Sequence, residues 1–190
     1  MFKCLLPRPF IVMLALMIAA LAIPVTASAA PGTTRMILEL ANIKGESKDA
    51  GHKGGIEILS FSFGATNTAT VVGGGGGGAG KPQYNDFSFM KYLDSSSLPL
   101  LGNLASGKAI KDGTLYFYGS GDSKPYLTVK LEQIFITSSQ YSDSAGGNPF
   151  TESFSLRASK MTFSYQAYDG AGRPLPLQTL EIDQNAGKVS

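Results

Sequence analysis

The side chains in this sequence that could do chemistry are few, and their spacing rules most of them out. Gly75, Gly80 and Lys81 satisfy G-x-x-x-x-G-K, the loop whose backbone N–H groups and lysine cradle a nucleotide's phosphates. Position 82 is proline, however, where a Ser or Thr hydroxyl would hold magnesium, and no helix pattern opens after Lys81 to face a phosphate. The glycines from 73 to 78 also meet G-x-G-x-x-G by arithmetic alone. Nucleotide binding is not expected. His52 is the single histidine, so any Ser-His-Asp arrangement would have to use it, and no G-x-S-x-G elbow exists. Among Lys48, Lys53 and glycines it reads as a loop histidine, solvated or hydrogen-bonded. One His and one Cys, Cys4, bring zinc close to exclusion. Paired carboxylates for glycoside hydrolysis depend on a separation in space, and no pattern points to them. The expectation is a protein without a cofactor, a metal or a catalytic residue.

The compartment follows from the first residues. Lys3 and Arg8 make a basic start, Ile11 to Ile23 is apolar, and Ala27, Ser28 and Ala29 give the A-x-A pattern of a secretory signal, residues 1–29, cleaved after Ala29. Pro24 closes the apolar run before the roughly 20 residues that a membrane-spanning helix needs. Cleavage removes Cys4, so the remaining chain has no disulfide and its stability must come from packing. It also removes Lys3 and Arg8 and no acidic residue, which leaves 14 of the 16 basic side chains against 14 acidic ones. A balanced surface gives no electrostatic reason for a nucleic acid or an anionic membrane as partner.

The elements that would position any site are strands. After a flexible leader, 30–35, Arg35 to Ile43 predicts a first strand with Ile37 or Leu38 inward, followed by the polar, glycine-punctuated loop 44–54. Gly55 to Gly64 alternates apolar and polar residues and changes sides once, between Ile58 and Leu59, as a bulge or a strand passing between two faces would. Its Ile and Phe content predicts a central strand. The glycine run predicts a mobile loop. Tyr84 to Leu93 is strand-like, with Phe87, Phe89 and Lys91 on one side. Asp94 to Ser97 offer N-cap oxygens, Pro99 suits a first turn, and Leu98, Leu100, Leu101, Leu104 and Ala105 follow helical spacing up to Gly107.

Gly113 to Gly119 and Pro125 to Ser138 predict a hairpin around Gly121-Asp122, with a phase jump from Leu131 to Ile134; Ser142 to Pro149 predicts a loop. Thr151 to Tyr168 jumps at Ser159-Lys160. Strands that each change phase once suit a closed or strongly curved sheet, so the fold class is mainly β, a barrel or tight two-sheet sandwich with one short lateral helix. Residues 169–190 read as a partly ordered tail.

Several separated stretches, in order, resemble the haemolysin-coregulated protein (Hcp) family, the tube subunit of type VI secretion systems. They are Asn42 to Asp49, His52-Lys53-Gly54, Ile56 to Gly64, Gly80-Lys81, Asp86 to Phe89, Lys91 to Asp94, Ser106-Gly107-Lys108 and Thr151-Glu152-Ser153. The resemblance covers about Met36 to Tyr168 and implies a β-barrel of two sheets over 36–168 with a helix alongside. It also implies a homohexameric ring, rings stacked into a hollow tube, small effector proteins in the lumen, and sheath and spike proteins as further partners. Cyclic closure requires two complementary patches on each subunit. The loop residues Lys44, Gly45, Glu46, Ser47, Lys48, Asp49, His52 and Lys53 are the expected subunit or ring contact, for their length and two-signed charge.

The signal departs from that pattern, because tube subunits assemble in the cytosol. Either Met36, directly before the first strand, is the working start, or the chain is an exported relative. An exported binding module using the aromatics between Tyr141 and Phe150 on a ligand or cell-surface glycan is the alternative from another class; a hydrolase is not favoured by the single histidine.

Overall fold

The computed structural model describes residues 34–70, 78–143 and 149–190. The secretory signal, the leader up to residue 33, all but the last of the glycine run and the centre of the loop after Ser142 lie outside the described residues.

The chain is mainly antiparallel β with one short helix beside it. In order the elements are β1 (Arg35–Leu40), β2 (Ile56–Ile58), β3 (Ser60–Ser62), β4 (Ala65–Thr66), β5 (Ala69–Thr70), β6 (Gly78–Ala79), β7 (Gln83–Tyr84) and β8 (Phe87–Tyr92). They continue with α1 (Ser97–Ser106), β9 (Ile110–Tyr118), β10 (Leu127–Ser142), β11 (Thr151–Tyr165), β12 (Gln178–Asp183) and β13 (Lys188–Val189). The main sheet runs β13-β12-β11-β10-β9-β1-β2, with β8 paired to both β11 and β3; β4-β7 and β5-β6 are small ribbons.

In β11 the phase change seen in the sequence is the place where the strand exchanges neighbours. The first half of β11, Thr151 to Leu156, pairs with β8, and its second half, Lys160 to Tyr165, pairs with β12. Between them Ala158 and Met161 are both buried, three positions apart where strict alternation would give two or four. β10 makes the same jump on the facing rung. Leu131 and Ile134 are buried, Leu131 lies opposite Met161 and Ile134 opposite Ala158, and Gln133 between them takes a positive φ of 52°. A second irregularity falls between Ile136 and Ser138.

The stretch from Gly55 to Gly64 behaves likewise but is not the single central strand its composition suggests. β2 pairs only with β1 at one end of the sheet path, β3 pairs with β8, and Leu59 between them is 43% exposed. Ile56 and Ile58 are buried while Phe61 and Phe63 are half-buried, so the exchange of sides turns out one apolar side chain and keeps the others.

The core is a continuous body of Ile, Leu and Phe between the inner faces. Aromatic rings knit its strands: Phe63 stacks on Phe87 at 4.2 Å, Phe89 on Phe154 at 5.0 Å, and Phe61 meets Phe117 edge-on at 5.1 Å. Phe87, Phe89 and Phe154, which are buried, each contribute about 1.5–3 kcal/mol by leaving water. Ile37 and Leu38 are both buried, although they point to opposite faces of β1. The core covers Leu38, and the loop between β1 and β2 covers Ile37.

α1 stops where the sequence says, at Gly107, whose left-handed backbone closes the last turn with Lys108 N–H on Asn103 O at 3.1 Å. Its inward face is narrower than the apolar count suggests. Leu100 is buried and Leu104 half-buried, whereas Leu98 is 76% exposed. Residues 169–190 include β12 and β13, a hairpin that extends the sheet from β11.

Candidate functional site

The loop from Lys44 to Lys53 lies over the outer face of β1 and β9. On that face, Arg35, Ile37 and Glu39 of β1 stand opposite Tyr118, Tyr116 and Thr114 of β9. The loop leaves β1 through Asn42, at a positive φ of 65°, and closes its own neck with backbone bonds. Gly45 N–H donates to Gly54 O at 2.9 Å, Gly54 N–H to Ser47 O at 2.9 Å, and Ser47 N–H to Gly55 O at 3.0 Å. Asp49 turns the tip by accepting Gly51 N–H at 2.9 Å, and Ser47 Oγ accepts Asp49 N–H at 3.2 Å. Gly45 is obligatory for spatial reasons. A Cβ there would lie 2.5 Å from Gly55 O, 2.8 Å from Ile56 Cα and 2.9 Å from Asp94 Oδ2.

His52 clasps the loop to the sheet. It is buried, with Nδ1 2.9 Å from Glu39 Oε1 and Nε2 bonded to the Tyr118 hydroxyl. The Glu39 carboxylate can only accept, so the neutral ring carries its proton on Nδ1 and takes the Tyr118 O–H on Nε2. Tyr116 packs against the imidazole at 4.2 Å between ring centres. Arg35 completes the clasp, 3.1 Å from Asp49 Oδ2 and with its guanidinium 4.3 Å above the Tyr118 ring. Burial, followed by the charge of Glu39, pushes the Tyr116 hydroxyl above its ordinary range. Burial also raises Tyr118, with Asp49 adding to the effect and Arg35 opposing it.

The expected contact residues therefore divide by direction. Lys44, Glu46, Lys48 and Lys53 are exposed, while Gly45, Ser47, Asp49 and His52 hold the backbone from within. Glu46 also reaches the start of α1, accepting Ser95 N–H at 3.0 Å. The structure brings these eight residues of the sequence onto one flap. Tyr141 and Phe150, the aromatics proposed for a ligand, face each other at 6.1 Å, and the Tyr141 hydroxyl donates to Ser97 O at 3.2 Å.

A second polar cluster was not singled out from sequence. Lys91 shares the inner face of β8 with Phe87 and Phe89, directly across from Glu152 of β11, and both charged side chains are fully buried. The ammonium donates to Asp94 Oδ1 at 2.7 Å, Ser97 Oγ at 2.7 Å and Tyr92 O at 3.1 Å. That uses its three donors, and Glu152 Oε2, 3.0 Å away, is met by charge without a hydrogen bond. Glu152 Oε1 accepts from Ser139 at 3.2 Å. Asp94 also accepts Ser96 N–H at 2.9 Å, which starts α1; Ser96 itself makes no side-chain cap. The signal was present in the alternation, which puts Lys91 on the Phe face of its strand.

Among the described residues no group of three or more His, Cys, Asp and Glu could hold a metal, and no helix is long and apolar enough to cross a membrane.

Comparison with known proteins adds three observations. A family model described as "Type VI secretion system effector, Hcp" matches residues 37–165. Protein hcp1 of Pseudomonas aeruginosa is 32% identical over 139 residues, which cover 72% of this chain and 86% of that protein. Among solved structures, one described as a type six secretion system protein superposes with a TM-score of 0.77 at 23% identity, covering 83% of this chain and 100% of the other. The crystal structure of Hcp1 from Salmonella typhimurium gives 0.69 at 26% identity, covering 83% and 99%.

Proposed function

Because the chain belongs to the Hcp family of type VI secretion proteins, we propose that it is a non-enzymatic structural subunit that closes into a homohexameric ring. Stacked rings form a tube that carries small effector proteins in its lumen, with sheath and spike proteins as further partners. The observation that carries this reading is the flap over β1 and β9. It offers exposed charges of both signs, Lys44, Glu46, Lys48 and Lys53, on a backbone fixed from beneath by His52, Asp49 and Gly45. A contact surface already rigid before assembly loses little entropy on binding. Closure of the wall into a barrel belongs to the same reading. It is supported by the run of pairings β1-β9-β10-β11-β8-β3, whose two ends are joined through Leu59 to β2.

Size-exclusion chromatography with light scattering tests the ring; a monomer at tens of micromolar overturns it. Lys44→Glu, Lys48→Glu and Lys53→Glu together test the flap. These side chains have no bonding partner among the described residues, so the fold should persist while rings or stacks fail in electron micrographs. Rings and stacks unchanged by the triple reversal would remove the flap from the interface. Export through the signal of residues 1–29 is also proposed, and N-terminal sequencing of the native protein tests it. Ala30 as first residue supports cleavage, and Met36 supports the internal start.

A further inference from the structure

We propose that the cleft between β13 and β7 binds an extended acidic peptide segment of another protein, which adds as a strand to the free edge of β13. The proposal goes beyond ring formation and does not depend on it.

The cleft has a volume of about 420 Å³, with Lys81 to Tyr84 on one wall, Gly187 to Val189 on the other and Arg157 and Ile182 among the lining residues. β13 is the last strand on its side of the main sheet. Glu181 and Ser190 exchange both backbone bonds, at 2.7 and 3.0 Å, so two rungs along Asp183 and Lys188 form the next bonded pair. Val189, on the rung between, therefore turns its N–H and C=O away from β12. The facing ribbon has the same phase. Asn85 N–H donates to Gly64 O at 2.9 Å, so Tyr84, on the non-bonded rung opposite Ala65, turns its peptide groups away from β4.

Unpaired strand edges invite pairing, and the charges beside them decide with what. Lys81 and Lys188 are exposed and have no bonding partner among the described residues. Arg157 is already bonded to Asp86 at 2.6 Å, so the uncompensated cations of the cleft are the two lysines. Asp183 is the one acidic lining residue, and its Oδ1 accepts Ala186 N–H at 2.8 Å. A basic strand is repelled from such an edge, and an acidic one is admitted.

The experiment uses fluorescence anisotropy of a labelled peptide alternating Glu with Thr, and of its Lys-Thr counterpart. The acidic peptide should bind and the basic one should not. Val189→Pro is the decisive variant. It removes an N–H that β12 does not use, so far-ultraviolet circular dichroism and urea unfolding should be unchanged while peptide binding weakens about tenfold, the scale of a hydrogen bond or two. Lys81→Glu with Lys188→Glu should weaken it by at least as much. No binding, equal binding of both peptides, or indifference to Val189→Pro overturns the proposal. Binding to the monomer that disappears in the assembled protein also overturns it, because a second copy would then fill the cleft.

Discussion

The two polar clusters of this molecule, the Lys91 knot and the His52 clasp, do the same job in different dielectric settings. Each fastens an irregular segment to the sheet: the knot holds the start of α1, and the clasp holds the flap. The knot is wholly inside, with Lys91 and Glu152 both at 0% exposure. The clasp sits at the rim, where the Glu39 side chain is 43% exposed and water shares its charge. A charge stripped of water cannot lose its partner cheaply, whereas one at the rim can turn to solvent. The knot is thus a fixed part of the fold, and the clasp is a part that can be loosened without collapse.

The sharpest break would come at the knot. Lys91→Met leaves the Glu152 and Asp94 carboxylates without their cation, and urea unfolding should show a loss of about 3–5 kcal/mol. Lys91→Met with Glu152→Met should recover most of that loss, since well-packed apolar pairs replace buried ion pairs at little cost. A double variant as unstable as the single one would contradict this account.

Between the two clusters lies Gly45, where an added Cβ would meet both Ile56 Cα and Asp94 Oδ2. Gly45→Ala forces backbone apart at 2.5 and 2.8 Å and should cost about 1–3 kcal/mol in the same assay, with amide exchange quickened in both segments. At the clasp itself, His52→Leu removes two side-chain hydrogen bonds from a partly wetted site. A loss of about 1–2 kcal/mol is expected, with exchange quickened in 44–55 and not in α1.

The smallest effect concerns alkali. The hydroxyls of Tyr116 and Tyr118 are raised above their unfolded value of 10.0. The unfolded chain therefore gives up these protons first. Their contribution to stability is intact below pH 10.0 and declines as the pH rises from there through the folded values. Tyr118→Phe should flatten the fall of stability above that pH, measured as urea midpoints along a pH series. An unchanged slope would detach the clasp from the titration.

The sequence made some of this legible and hid the rest for definable reasons. The jumps Leu131 to Ile134 and Ala158 to Met161 were visible because alternation is local, yet that they face each other on one rung required the register. The stop of α1 was readable in Gly107, while the exposure of Leu98 was not, since helical spacing gives an apolar stripe and not its width. The hairpin of β12 and β13 carries too few apolar residues to announce itself; Ile182 alone of its side chains is buried. Loop 44–53 is expected to be a contact from its length and two-signed charge, but which members point outward depends on Ile37 and Glu39 lying beneath it. The knot was missed although Lys91 stood on the Phe face, because an alternating pattern shows a misplaced charge without showing the Glu152 that meets it.

The position of β1 has a consequence for how the protein is made. Its partner on one side, β9, ends at Tyr118, and β3 finds β8 only after the ribbons between them have been laid down. β2 can pair with β1 as soon as Ile58 is made. A ribosome must release the chain as far as Tyr118, however, before the other side of that first strand is paired, and its apolar residues stay uncovered by the core meanwhile. Such long-range closure folds slowly, and it leaves those residues available to any chaperone that reaches them first.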